Sequence, residues 1–85
     1  MKTFTYTIKD ELGIHVRPAG LLAKVGKKYD SAITIEKDGK SSDVTRLMAV
    51  MAMGVKCGET VTITVTGTDE EVAYQETQAF FEENL

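Results

Sequence analysis

The chain has 85 residues, enough for one domain with a single core, and its 42% hydrophobic and 27% charged residues are typical of a soluble globular protein. The formal net charge of −3, with basic residues spread along the sequence, argues against nucleic-acid binding. No apolar run approaches the about 20 residues of a membrane span, and the N-terminus lacks a secretory-signal pattern. We therefore expect one cytoplasmic, monomeric domain over residues 1–85, with no nucleic-acid or membrane partner.

Only one cysteine and one histidine are present, which limits the chemistry open to the chain. Cys57 has no second thiol with which to form an internal disulfide, and a lone cysteine suits a reducing compartment. Zinc needs three or four ligands, and no second histidine is available to join His15. We expect neither a metal nor a cofactor.

The first half of the chain shows the patterns of a strand, a helix and a hairpin. Apolar side chains at every second position predict a strand over residues 2–9. Apolar residues at steps of three and four predict a helix over 16–29. Its core face is expected to comprise Ala19, Leu22, Val25 and Tyr29. An Asp-Gly pair, typical of a two-residue turn, separates predicted strands over 32–37 and 40–44.

The second half predicts a helix, a strand and a helix. Leucine, methionine and alanine favour a helix over 46–53, with a strand as the weaker alternative. Alternating threonines and β-branched apolar residues predict a strand over 60–66. Thr68 and Glu71 have capping-box spacing at the start of a helix that runs to about residue 83. Its core face is expected to comprise Val72, Ala73, Ala79 and Phe80.

The order of these elements is β-α-β-β-α-β-α. Because the strands alternate between apolar and polar residues, one face of the sheet is expected to be buried and the other open or lightly covered. The sequence therefore predicts an α+β fold in which a four-stranded antiparallel sheet carries three helices on one face.

The predicted middle helix is unusually apolar for a surface helix. Val50 and Met53, or their neighbours, can supply one stripe toward the core, which leaves Leu47, Met48 and Met51 facing elsewhere. Two interpretations stay open, complete burial of the helix or a docking surface. We favour docking, because a small two-layer domain has little room to bury every side and because flexible methionines suit a surface that receives several partners.

The segment LGIHVRPAG, residues 12–20, contains the only histidine and the only proline. Pro18 is favoured in the first turn of a helix, so His15 is predicted to lie at a helix N-terminus. No nearby serine, threonine, aspartate or asparagine is placed to cap that end. The backbone N–H groups of Val16 and Arg17, together with the Arg17 guanidinium, are therefore predicted to form an anion site.

A neutral imidazole at such a position is a nucleophile able to attack phosphorus and form a phosphohistidine. Arg17 would then screen the charge of the phosphoryl oxygens during transfer. By spacing alone, however, a lone histidine near a turn is more often an ordinary surface residue. Arg17 is equally consistent with a solvated residue at the start of a helix. The prediction of an anion site therefore depends on His15, Arg17 and Pro18 together and not on any one of them.

The stretches GIHVRPAGLLAK and LMAVMAMGVKCGETVTI resemble the HPr family, the histidine-containing phosphocarriers of the bacterial sugar phosphotransferase system, and the similarity covers essentially the whole chain. The resemblance implies an open-faced β-sandwich and a stoichiometric carrier, not an enzyme. It implies that His15 accepts a phosphoryl group on Nδ1 from phosphorylated enzyme I and passes it to enzyme II A domains, with Arg17 assisting. It also implies a surface that docks both partners, formed by Gly20, Lys24, Leu47, Met48 and Met51.

Three positions depart from the usual family pattern. Arg46 stands where HPr proteins usually have a serine, which a dedicated kinase phosphorylates in many Gram-positive bacteria. A cation at 46 is expected to join the docking surface and favour acidic partners. Leu12 and Val16 make the surroundings of His15 more apolar. Two alternative functions stay open, an HPr-like regulatory binding module and a carrier that serves nitrogen control.

Overall fold

Four strands and three helices alternate along the chain in a computed structural model that describes all 85 residues. The elements are β1 (Lys2–Thr7), α1 (Val16–Lys28), β2 (Ala32–Lys37), β3 (Lys40–Asp43), α2 (Leu47–Ala52), β4 (Thr60–Thr66) and α3 (Glu70–Asn84). Every predicted element is present, and none of the predicted ends is more than two residues from the observed one. None of the helices has the length and apolar character needed to cross a membrane.

The four strands form one antiparallel sheet in the order β1-β4-β2-β3. Along β4, Val61, Ile63 and Val65 are fully buried, whereas the threonines between them lie on the opposite, more open face. The three helices cover the buried face, which confirms the predicted open-faced β-sandwich. Asp38 and Gly39, in the turn between β2 and β3, both have positive φ, as the predicted hairpin turn requires.

The buried face of α3 differs from the prediction. Ala73 and Phe80 are buried as expected, but Val72 is 50% exposed and Ala79 is exposed as well. The observed stripe consists of Ala73, Thr77, Phe80 and Phe81. Thr77 can be buried because its hydroxyl donates a 2.7 Å hydrogen bond to the carbonyl oxygen one turn earlier. A prediction from apolar character alone therefore included two exposed residues, Val72 and Ala79, and omitted two buried ones, Thr77 and Phe81.

The predicted capping box of Thr68 and Glu71 is also wrong. The N-cap of α3 is Asp69, and no side chain caps the helix there. Instead, Glu70 Oε1 accepts a 3.0 Å hydrogen bond from the backbone N–H of Gly67. The Asp69 carboxylate is occupied elsewhere, because it accepts hydrogen bonds from the loop that precedes β2.

Close packing of α1 against the segment that leads into α2 depends on Gly26. A Cβ atom at this position would lie 2.7 Å from Val44 Cγ2 and 2.9 Å from Thr45 Cγ2. Gly20, in the middle of the same helix, has open space around it. The two glycines therefore have the same helical backbone but different surroundings.

We expect Gly26→Ala to lower the free energy of unfolding by about 1–3 kcal/mol, because the new methyl group overpacks this contact. The control Gly20→Ala should raise it by about 0.5–1 kcal/mol, because alanine favours the helix and meets nothing. Urea unfolding followed by circular dichroism measures both changes. Equal changes in the two variants would contradict the packing explanation.

Candidate functional site

The loop before α1 is fixed by a close approach of two backbone segments. Gly13 has a φ of +68°, and a Cβ atom there would lie only 2.2 Å from the carbonyl oxygen of Val55. The next residue, Ile14, is buried and donates its N–H to the same oxygen at 3.0 Å. The backbone immediately before His15 therefore rests on the segment between α2 and β4.

His15 is the N-cap of α1 and has an extended backbone conformation. Its carbonyl oxygen accepts the N–H of Ala19 at 3.0 Å, which closes the first turn. No side chain caps this end, and the N–H groups of Val16 and Arg17 donate no hydrogen bond within the chain. Pro18 has no N–H to satisfy. Two unpaired backbone donors thus lie next to His15 at the positive end of the helix dipole.

A shallow depression with a cavity volume of about 270 Å³ lies at this helix start. It is lined by Asp10, His15, Arg17, Pro18, Leu21, Glu83 and Asn84. Glu83 and Asn84 come from the end of α3, and sequence reasoning missed them because no local pattern links them to His15. No group of three or more histidine, cysteine, aspartate or glutamate side chains is placed to hold a metal ion.

Asp10 is the acidic neighbour of His15 and was also missed in the sequence. Its Oδ1 lies 4.0 Å from His15 Nε2 and accepts the backbone N–H of Leu12 at 2.8 Å. An aspartate three residues before a glycine often begins a tight turn, and the Gly13 N–H does donate to the Asp10 carbonyl oxygen. This spacing was the sequence signal that could have placed Asp10 near His15. The imidazole is 34% exposed, and its Nε2 edge faces this carboxylate.

The residues of α2 divide between the core and the surface. Val50 is fully buried, and Leu47, Met51 and Met53 are half-buried and pack against the core. Met48, by contrast, is 75% exposed. Complete burial of α2 is therefore excluded, and the helix presents a large apolar side chain to solvent.

The other docking residues predicted from the sequence, and the two apolar residues near His15, lie on α1, on the loop before it and at the start of α2. Leu12 and Val16 are exposed on either side of His15 in the sequence. In α1, Gly20 is half-buried and Lys24 is exposed. Arg46, the N-cap of α2, is exposed and lines a separate shallow depression between β3 and α2.

Comparison of the chain with known proteins identifies the family to which it belongs. The model of the family described as "PTS HPr component phosphorylation site" matches residues 2–83. The chain belongs to the HPr family. The phosphocarrier protein HPr of Mycoplasma capricolum is 41% identical over 75 residues, which cover 88% of this chain and 84% of that protein.

Solved structures of HPr proteins agree with this assignment. A histidine-containing phosphocarrier protein of Mycoplasma superimposes with a TM-score of 0.92 at 36% identity, covering 96% of this chain and 93% of the other. An HPr from Thermoanaerobacter tengcongensis gives a TM-score of 0.92 at 36% identity, with coverage of 98% and 93%. The protein is thus a member of the phosphocarrier family of the phosphotransferase system, as its sequence resemblance predicted.

Gly13→Ala should destabilise the protein more than Gly39→Ala. Both positions have positive φ, which costs an alanine about 1–2 kcal/mol, but Gly39 has open space around it. At Gly13 the collision with the Val55 carbonyl should add about 1–3 kcal/mol and shift the NMR signals of the His15 ring. Urea unfolding and ¹H–¹⁵N spectra measure the two effects. Equal losses with unchanged ring signals would show that the contact does not position His15.

Proposed function

We propose that the protein is a cytoplasmic phosphocarrier that accepts a phosphoryl group on Nδ1 of His15 from phosphorylated enzyme I. It then passes the group to enzyme II A domains during sugar uptake. The observation that carries this proposal is the position of His15 at an uncapped helix start, beside the unpaired N–H groups of Val16 and Arg17. Membership of the HPr family supports the same reading.

The transfer requires a lone pair on the imidazole and charge stabilisation around the phosphorus. The lone pair of Nδ1 attacks phosphorus, and the new N–P bond forms while the bond between phosphorus and the enzyme I donor group breaks. The ring proton stays on Nε2, the edge that faces Asp10. The phosphoryl oxygens are within the field of the helix N-terminus and of the Arg17 guanidinium, which stabilise their negative charge. Transfer to an enzyme II A domain repeats the step with His15 as the donor.

A carrier must expose its phosphoryl group to two different proteins in turn. The depression at His15 is shallow and open, so either partner can approach the imidazole. The docking surface that we propose for both partners comprises Gly20, Lys24, Arg46, Leu47, Met48 and Met51. Apolar Met48 supplies contact area, and the cations Lys24 and Arg46 favour association with acidic surfaces. Since residue 46 is an arginine, we also propose that this carrier is not controlled by phosphorylation at that position.

Incubation with phosphoenolpyruvate and enzyme I should place one acid-labile phosphate on each wild-type chain and none on His15→Ala. Arg17→Ala should still accept phosphate, but about 10²-fold more slowly, because one charged donor to the phosphoryl oxygens is lost. Mass spectrometry at neutral and acidic pH measures the phosphate. Phosphate that persists on His15→Ala would contradict the proposal.

The same phosphorylation assay, together with a pull-down from lysate by wild type and by His15→Ala, separates the alternative functions. If the wild-type chain accepts no phosphate, and one protein binds wild type and His15→Ala equally, the chain is a regulatory binding module. If only the enzyme I of a nitrogen-control system phosphorylates His15, the chain is a carrier of that branch. Enzyme I paralogues are therefore tested side by side.

Met48→Glu should leave the fold intact and reduce kcat/KM for transfer from enzyme I by about tenfold or more, because a charge is forced into a desolvated contact. Val72→Glu is the matched control, since Val72 is also an exposed apolar helix residue. It lies at the beginning of α3, and at 1.5 Å per residue the end of that helix near His15, at Asn84, is about 18 Å away. Circular dichroism checks the fold of both variants. Equal slowing by the two substitutions would contradict a docking role for α2.

A further inference from the structure

Lys37, the last residue of β2, has its ammonium group among three oxygen acceptors. Nζ lies 2.9 Å from Glu59 Oε1, 3.3 Å from the carbonyl oxygen of Gly54 and 3.5 Å from that of Met53. Its side chain is only 15% exposed. These acceptors lie at both ends of residues 53–59, named here the α2–β4 loop. One ammonium group therefore ties the two ends of this loop to the sheet.

Glu59 continues the same cluster into the middle of the loop. Its Oε1 atom also accepts the backbone N–H of Lys56 at 2.7 Å. The hydrogen bond from Lys37, followed by that from Lys56, holds the pKa of the Glu59 carboxyl below its usual range, so the carboxylate is charged at neutral pH. Backbone hydrogen bonds between Ile8 and the last two residues of the loop fasten it to the end of β1. The Lys37–Glu59 ion pair, with its neighbouring hydrogen bonds, thus links the two ends of the loop to each other and to β2.

The carbonyl group that supports the His15 loop belongs to this closed segment. Val55 is buried, lies between the two anchored ends of the α2–β4 loop, and accepts the N–H of Ile14 through its carbonyl oxygen. The same oxygen is the atom that a side chain at Gly13 would strike. A continuous series of bonds therefore runs from Lys37 through the loop to the residue before His15.

We propose that Lys37 and Glu59 are positioning residues for phosphoryl transfer. Their ion pair holds the α2–β4 loop so that the Val55 carbonyl binds the Ile14 N–H and places His15 at the start of α1. Neither side chain lines the depression at His15, so both act through the loop. The ammonium of Lys37 also binds the carbonyl oxygens of Met53 and Gly54, which follow α2, and so fixes the beginning of the α2–β4 loop. This inference rests on the proposed role of His15.

The test compares Lys37→Met with Lys28→Met. Lys28 forms an ion pair of the same 2.9 Å length with Glu76, but it joins the far end of α1 to α3. Hydrogen exchange of the Ile14 amide and the ¹⁵N signals of the His15 ring are measured on the unphosphorylated proteins. The initial rate of phosphate acceptance from enzyme I is measured separately. Unfolding by urea gives the loss of stability in each variant.

We expect Lys37→Met to speed exchange of the Ile14 amide at least tenfold, to shift the His15 ring signals, and to lower kcat several-fold with KM unchanged. Lys37→Arg should restore all three, because it returns a cation to the same acceptors. Lys28→Met should change none of them, whatever stability it costs. If Lys37→Met does not fold, Glu59→Gln decides, since the amide keeps an acceptor for Lys56 and loses only the charge.

Unchanged Ile14 exchange and His15 signals in a folded Lys37→Met or Glu59→Gln variant would overturn the inference. Equal effects of Lys28→Met would overturn it as well, because a general loss of stability would then explain the result. Failure of the proposed function has a different signature. In that case wild type accepts no phosphate, while the exchange and ring measurements still report whether Lys37 positions His15.

Discussion

The carbonyl oxygen of Val55 is the contact on which the geometry of the site depends. Gly13 can lie against it only because glycine has no Cβ atom and adopts positive φ without strain. Ile14 then donates its N–H to the same oxygen and buries its side chain. The chain leaves this contact in a fixed direction, so His15 becomes the N-cap of α1. The first N–H groups of α1 lie beside the imidazole because the loop held by Val55 determines where α1 begins.

The surroundings of His15 combine two physical requirements of a carrier. In the function that we propose, two backbone donors and one guanidinium would stabilise the phosphoryl charge, and an approaching partner can match this set, so the group can also leave. Leu12 and Val16, on either side of His15 in the sequence, and Met48 of α2 are exposed apolar side chains. Docking of a partner on the proposed surface would remove water from these side chains and strengthen the electrostatic interactions at His15. We therefore propose that docking of a partner completes the transfer site.

Sequence reasoning succeeded wherever neighbours along the chain decide the structure. Alternation fixed the inward face of β4, the Asp38–Gly39 pair fixed the hairpin turn, and Pro18 marked the start of α1. It failed on α3 for a tertiary reason. Val72 is exposed there while Thr77 is buried, because the direction in which the helix packs on the sheet selects the inward stripe and a backbone carbonyl satisfies the threonine.

The sequence by itself determined the order of the elements, the open face of the sheet and the placement of a lone histidine at an uncapped helix start. These features follow from periodicity, turn residues and the absence of a capping side chain, all of which act over a few residues. Only the tertiary structure decided that Asn84 of α3 borders the depression, that Met48 faces solvent, and that Lys37 supports the α2–β4 loop. Such contacts join segments far apart in the chain, and they exist only once the helices pack on the sheet.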